Sequence, residues 1–174
     1  MNRGRLIGLL LGLAALLAVG GALPPATHAA PQDLVRLGGA FKNFDGFETS
    51  VQLSDTVSVF TKDVMVPAGM TALYITISAT GETFGEDAVL ELRCTVNSVD
   101  CNPPGYLPLQ NQPGDRENNA VYHTWCKSIT PPVNPTPMTV EITMQSSNGN
   151  EVALNAAHLF VDASDLAINA CHGL

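Results

Sequence analysis

The sequence has few basic residues, few aromatic residues and none of the common catalytic or nucleotide-binding motifs. Eight Lys and Arg stand against sixteen Asp and Glu, which gives a formal net charge of −8 over 174 residues. Phosphate backbones and anionic lipids repel such a chain, which argues against nucleic-acid and membrane-surface partners. GxSxG, HExxH, GxGxxG and phosphate-loop patterns are missing, so no motif supports a hydrolase, a zinc protease or a nucleotide-dependent enzyme.

The chain beyond its first 30 residues also lacks a long apolar stripe of helical period, the best being the short segment 164–170. From Thr49 onwards apolar and polar residues alternate instead, most clearly over 72–79, 88–96 and 138–144. Period-2 alternation interrupted by turn residues is typical of half-buried strands. We therefore predict an all-β protein, an antiparallel β-sandwich that is jelly-roll-like or, alternatively, immunoglobulin-like.

Turn chemistry and changes of phase predict local features of this sandwich. Asn148-Gly149 is a strong hairpin signal, so we expect the last two long strands to pair with each other. The apolar phase switches over residues 155–157, which predicts a β-bulge or bend in the last strand. Residues 102–119, rich in proline, are expected to form a long surface loop. Residues 31–48 either add a strand or drape over the sandwich.

The amino-terminal segment predicts export. Residues 1–29 have the three regions of a secretory signal peptide: two arginines, an apolar run over about residues 6–22, and small residues before a cleavage site at Ala30. An uncleaved membrane anchor is the alternative, although about 17 apolar residues are marginal for a bilayer. We expect an amino-terminal extension over 30–48 and a sandwich domain over 49–174. The expected location is extracellular or periplasmic, without membrane attachment after cleavage.

Four cysteines, at positions 94, 101, 126 and 171, predict two disulfides in an exported chain. If residues 97–98 form a tight turn, Cys94 faces Cys101 across the hairpin. Directly opposed residues have β-carbons about 4.5–5.5 Å apart, close to what a disulfide requires. Cys126 then pairs with Cys171 by exclusion. A bridge from Cys94 to Cys126 across the core stays open as an alternative.

An acidic cluster is the candidate metal site. Glu82, Glu86 and Asp87 lie in a stretch that reads as a glycine-containing turn, and carboxylates on such a loop are what calcium requires. The spacing matches no dedicated calcium loop, and the alternative is a solvated acidic turn. We expect no other cofactor, and we assign no catalytic residue.

Two residues are candidate ligand contacts. Tyr106 lies in the proline-rich segment, and binding residues are often found on loops of a rigid scaffold. His123 stands between Tyr122 and Trp125, although no two histidines have the spacing of a metal-ligand pair. We expect the Trp125 side chain to lie in the core.

The order of these features resembles the β-sandwich domains of exported bacterial proteins that have no assigned activity. The resemblance rests on the strand patterning, the cysteine-bearing hairpin over 94–101 and the Thr124-Trp125 pair, and it covers about two-thirds of the chain. It implies a jelly-roll-like sandwich and carries no catalytic or binding residue over to this sequence.

These observations lead to one functional expectation and two alternatives. We expect a secreted, disulfide-stabilised binding or structural module whose partner is an unknown protein or glycan. The first alternative is a calcium-assisted carbohydrate-binding module. The second is a small secreted hydrolase or metal-dependent enzyme, which would require polar groups to converge in one pocket.

Overall fold

The alternating segments form two antiparallel sheets. The computed structural model describes residues 34–43, 55–84, 88–111, 116–147, 149–165 and 171. Sheet A has the strand order β1-β9-β3-β7, and sheet B has the order β2-β8-β4-β5 with β6 also paired to β4. The strands are β1 Val35–Asn43, β2 Val57–Val66, β3 Ala72–Phe84, β4 Val89–Val96, β5 Val99–Asp100, β6 Leu107–Asn111, β7 Arg116–Ser128, β8 Thr136–Ser146 and β9 Val152–Ser164. The predicted all-β sandwich is confirmed.

The core lies between the inner faces of the two sheets. Every second residue of a strand points to the same face, so the apolar phase of each strand contributes its side chains to one layer. Sheet A and sheet B both supply side chains that are fully buried, among them Ile75, Ile77, Trp125 and Leu159 from sheet A and Leu90, Leu92, Ile142 and Met144 from sheet B. These side chains belong to a single apolar cluster. The alternation in the sequence therefore identifies the buried face of each strand.

The hairpin between β4 and β5 has the predicted register. Asn97 and Ser98 have φ values of 49° and 64°, as a tight hairpin turn with two left-handed residues requires. The amide of Cys101 donates to the carbonyl of Cys94 at 3.0 Å. A disulfide joins these two residues, with their Cα atoms 5.4 Å apart. This bridge closes the open end of a hairpin that backbone pairing already forms.

The second disulfide joins Cys126 on β7 to Cys171, with the Cα atoms 5.3 Å apart. Asn102 holds the same region together. Its backbone exchanges hydrogen bonds of 2.7 and 2.9 Å with Cys126, and its side-chain amide donates to the carbonyl of Cys171. The two expected disulfides are thus present, and the Cys94–Cys126 alternative is not formed. Because disulfides persist only under oxidising conditions, they indicate a location outside the reducing cytoplasm.

The prediction that the last two long strands pair with each other is wrong. β8 pairs with β2 and β4 in sheet B, whereas β9 pairs with β1 and β3 in sheet A. The connection between them crosses from one sheet to the other. Gly149 does adopt the positive φ of 88° that the turn signal indicates. A turn of this kind reverses the chain, but the pairing of each strand is decided by the neighbours that occupy its two edges.

The phase switch in the last strand is a β-bulge, as predicted. Thr80 pairs with Ala156 and the next residue, Gly81, pairs with Leu154, so Asn155 has no partner in the β3–β9 register. The extra residue reverses which side chains face inwards on either side of it.

Two irregular segments contain strands. Within residues 102–119, predicted as a surface loop, β6 pairs with β4 and β7 begins at Arg116. The prolines of this segment favour a loop prediction, but β6 is a short edge strand that contains Pro108. An edge strand tolerates proline, whereas a central strand does not. Within residues 31–48, the strand alternative is the correct one: β1 pairs with β9 from Val35 to Asn43. Residues 1–33, with the predicted signal peptide, lie outside the described residues.

Candidate ligand-binding face

The outer face of sheet A carries a cluster of aromatic and hydroxyl side chains. Strand register places Phe41, His158, Ser78 and Tyr122 in one row across β1, β9, β3 and β7. The next row along the strands contains Gly39, Phe160, Thr76 and Thr124, and Arg36 and Asp162 follow. We call this surface the aromatic face, and it comprises Arg36, Gly39, Phe41, Thr76, Ser78, Tyr122, Thr124, His158, Phe160 and Asp162.

The rings of Phe41, Tyr122 and His158 are exposed, whereas the ring of Phe160 is half-buried. Tyr122 is 70 % exposed and Phe41 is 57 % exposed. The ring of Phe41 lies 4.5 Å from that of His158, centroid to centroid. His158 and Phe160 follow at 6.3 Å with their planes inclined by only 12°. Three rings from two strands are therefore held in mutual contact, and Tyr122 stands two strands away from His158 in the same row.

The two charged residues of the aromatic face neutralise each other. The Arg36 guanidinium forms an ion pair with the Asp162 carboxylate. It also lies over the ring of Phe160, 4.7 Å from the centroid, in cation–π geometry. Among the described residues of this face, no carboxylate is unpaired, although the chain as a whole is strongly acidic.

Small polar residues fill the spaces between the rings. The hydroxyls of Thr76 and Thr124 form a hydrogen bond of 2.9 Å across β3 and β7. Gly39 provides no side chain beside Phe160. A Cβ atom there would stand only 3.0 Å from the carbonyl oxygen of Leu159 and 3.6 Å from the Phe160 ring. The glycine therefore lets β1 pack closely against β9 beside the Phe160 ring.

The two ligand contacts predicted from sequence lie elsewhere and apart from each other. The Tyr106 hydroxyl is within hydrogen-bonding distance of Thr56 at 3.2 Å and Thr143 at 3.3 Å. The guanidinium of Arg93 lies 5.8 Å from the centre of its ring. Tyr106 thus packs on the outer face of sheet B. His123 points to the inner face of sheet A, so the two residues do not share a site.

His123 is a partly buried residue beside the core. It pairs with Ile77, and its ring meets the ring of Trp125 edge-on at 4.6 Å. Its buried Nε2 atom has no hydrogen-bond partner among the residues that the structure describes. Desolvation by this burial lowers the pKa of His123. His158 points to the opposite face of the same sheet, so the two histidines do not converge as a catalytic or metal-binding pair.

The lowered pKa of His123 predicts an acid-dependent loss of stability. The unfolded chain binds a proton near the ordinary pKa of 6.5 and the folded chain only at lower pH, so the free energy of unfolding falls as the pH drops below 6.5. We expect His123→Phe to make this fall smaller between pH 7.5 and 5.5, as measured by urea unfolding at each pH. The exposed Val133 supplies the control, since Val133→Ala changes no titratable group and should keep the wild-type slope. Equal slopes for His123→Phe and wild type would contradict the assignment.

Glu82, one of the three acidic residues proposed for calcium, is placed differently from the prediction. Glu82 lies within β3 rather than in a turn and is only 4 % exposed. Its carboxylate accepts a hydrogen bond of 3.1 Å from the side-chain amide of Asn155, the bulged residue of β9. The strand continues through this glycine-containing stretch because β7 and β9 pair with it on both sides. Glu86 and Asp87 lie outside the described residues.

A cleft of about 250 Å³ lies where the two disulfides approach each other, with walls from Asn102, Cys126 and Lys127. Its polar groups bind one another. The Lys127 ammonium donates to the carbonyl oxygen of Asp100 at 2.6 Å, and the Asp100 carboxylate pairs with Arg93 at 2.6 Å. Desolvation lowers the pKa of Lys127, and the charge of Asp100 opposes that shift. These contacts fasten the β4–β5 hairpin to β7, which is a structural role.

The aromatic face was not recognised from the sequence. Tyr122, His158 and Phe160 each occupy the phase of their strand that alternates with buried residues, where polar side chains are the norm. Aromatic residues in the predicted solvent-facing phase of a strand are the sequence signal that could have indicated the aromatic face. Only the register between strands shows that they are neighbours.

Comparison with known proteins shows similarity in structure alone. No protein-family model and no curated protein matches the chain. The VP2 subviral particle of infectious bursal disease virus is similar with a TM-score of 0.45 and 13 % identity, over 83 % of this chain and 34 % of the VP2 chain. Dimeric latent PorU from Porphyromonas gingivalis is similar with a TM-score of 0.35 and 11 % identity, over 75 % of this chain and 13 % of PorU. The chain thus spans about a third of the length of VP2.

The fold and its cross-links define the class of the protein, which is an antiparallel β-sandwich with two disulfides. Within the described residues, no helix is long and apolar enough to cross a membrane.

Proposed function

We propose that the protein is a non-enzymatic binding module that acts outside the cytoplasm and binds its ligand on the aromatic face. The observation that carries this proposal is the row of exposed rings across sheet A, with Phe41 and Tyr122 on its two edge strands and His158 on β9 between them. Exposed apolar side chains on a soluble protein are usually scattered, and contiguous ones mark interaction sites. Tyr122 and Phe41 are among the most exposed large apolar side chains of the described chain, and they lie in the same row of one sheet.

The construction of the face supports a binding role over a purely structural one. Phe41, His158 and Phe160 are supported by the backbone of paired strands, so a ligand would not have to order a loop before contacting them. The Cys94–Cys101 disulfide reinforces sheet B, and the Cys126–Cys171 disulfide reinforces the outer phase of β7 two residues beyond Thr124. The signal-peptide pattern of residues 1–29 supports secretion as the route by which the disulfides reach an oxidising compartment.

A pair of binding arrays tests the proposal. Wild type, the double variant Phe41→Ala/Tyr122→Ala and the single variant Tyr106→Ala would be applied to a printed glycan array and a printed protein array. Tyr106 is the matched control because it is an aromatic residue on the other sheet. We expect at least one signal that the double variant reduces tenfold or more and that Tyr106→Ala retains. If neither array gives a signal that depends on the aromatic face, the proposal is wrong.

A further inference from the structure

We infer that the ligand of the aromatic face is a neutral polysaccharide, bound as an extended chain. This inference rests on the proposed function and names the ligand class for the same surface. Three observations carry it: the charge of the face, its size and the kinds of side chain on it.

The charge of the face points to a neutral ligand. Arg36 and Asp162 pair with each other, so neither is available to recognise a charged group without breaking an ion pair. A phosphate or sulfate ligand would require unpaired Arg or Lys side chains, and the face presents none. The surrounding protein, with a formal net charge of −8, would repel an anionic polymer as it approached.

The size of the face is too small for a typical protein partner. Four strands spaced by about 4.8 Å span about 14 Å, and the five residues from His158 to Asp162 span about 14 Å along β9. The footprint, measured between backbone positions, is thus about 200 Å², smaller than the surface over which a standard protein interface, with about 800 Å² of accessible area from each partner, extends. A short stretch of a sugar polymer fits it.

The side chains offer both kinds of contact that a sugar requires. One face of a pyranose ring is lined by C–H groups with partial positive charge, which the electron-rich face of an aromatic ring attracts. Its edges carry hydroxyls that both donate and accept hydrogen bonds. Here Tyr122 and Phe41 supply exposed rings, and Ser78 and Thr124 supply hydroxyls between them. The rings lie on the open surface of a sheet, so this surface suits a chain that lies along it, whereas a single sugar would remain largely solvated.

The decisive experiment measures binding to defined polymers. Insoluble cellulose and chitin and soluble mannan serve as neutral probes, and polygalacturonate serves as the anionic one. The variants are Tyr122→Ala, Phe41→Ala, Tyr122→Phe, Tyr106→Ala and Val133→Ala. Val133 is the matched apolar control, since it is 89 % exposed and lies outside the face. Co-sedimentation is used for the insoluble polymers, affinity electrophoresis for the soluble ones, and circular dichroism verifies that each variant is folded.

We expect wild type to bind at least one neutral polymer and not polygalacturonate. Tyr122→Ala and Phe41→Ala should each weaken that binding tenfold or more, while Tyr122→Phe keeps the ring and stays within about threefold. Both control variants should match wild type. Raising NaCl from 50 to 500 mM should change the affinity less than twofold, because no charge pair is formed with the ligand.

The outcomes separate this inference from the proposed function. Face-dependent binding of a protein or of an anionic glycan, with no neutral polymer bound, overturns the inference and leaves the binding module standing. Neutral-polymer binding that survives Tyr122→Ala and Phe41→Ala overturns both, because the ligand is then held elsewhere.

Discussion

Replacing Cys126 and Cys171 together by alanine is expected to lower the free energy of unfolding by about 4 kcal/mol. The disulfide closes a loop with a sequence separation of 45 residues, so its loss frees a large number of conformations of the unfolded chain. In the folded state Cys171 is held on β7 next to Ala72, and Asn102 bonds its carbonyl. Without the disulfide, only the packing on Ala72 and the hydrogen bond from Asn102 would hold residue 171 against the sheet.

The Cys94→Ala/Cys101→Ala variant is the matched comparison. Its disulfide spans only 7 residues, and chain entropy assigns it about 1.6 kcal/mol less stabilisation than the longer one. All four cysteines are buried, so the packing lost on replacement is similar in the two variants. Guanidinium unfolding, followed by Trp125 fluorescence, gives the free energy of unfolding of each variant. The dependence of this free energy on guanidinium concentration also reports changes in the compactness of the unfolded chain. An equal or larger loss in the short-loop variant would show that hairpin packing, and not loop closure, dominates.

Trp125→Ala is expected to cost about 3–5 kcal/mol, the usual cost of removing a large buried aromatic side chain. Trp125 is fully buried on β7, opposite Ile75, and its ring meets His123. Its indole nitrogen has no hydrogen-bond partner among the described residues. The loss is therefore one of apolar packing, and it leaves no partner group unsatisfied.

Two further substitutions show whether the effect comes from packing. Trp125→Phe should recover more than half of the loss, because it restores much of the buried volume. Tyr122→Ala removes an aromatic side chain of the same strand that is 70 % exposed, and it should change stability by less than about 1 kcal/mol. Urea unfolding followed by far-ultraviolet circular dichroism suits all three, since one signal is common to them. Similar losses for Trp125→Ala and Tyr122→Ala would mean that β7 is not packed as described.

Local features of the fold could be predicted because nearby residues determine them. The Cys94–Cys101 hairpin depends on two turn residues and on the register that they impose. The bulge at Asn155 appears in the sequence as a change of phase, since one additional residue shifts every following side chain to the other face. The burial of Trp125 follows from its position in the apolar phase of a strand. None of these requires knowledge of a distant segment.

The candidate site could not be predicted in the same way. Tyr106 and His123 were selected by their local sequence, and the structure places them on different sheets. Glu82 was assigned to a turn because of its glycine neighbours, but two flanking strands extend β3 through it. In each case the contacts that decide the position come from residues far along the chain.

Residue patterning along the chain specifies the all-β class, the buried phase of each strand, the hairpin between Cys94 and Cys101 and the bulge at Asn155. The packing of the complete fold places β8 and β9 in different sheets and brings Phe41, Tyr122 and His158 into one row. Period-2 alternation specifies which face of a strand is buried, but it does not specify which strand lies beside it. That choice follows from how two complete sheets satisfy all their backbone hydrogen bonds at once, and the aromatic face is a consequence of it.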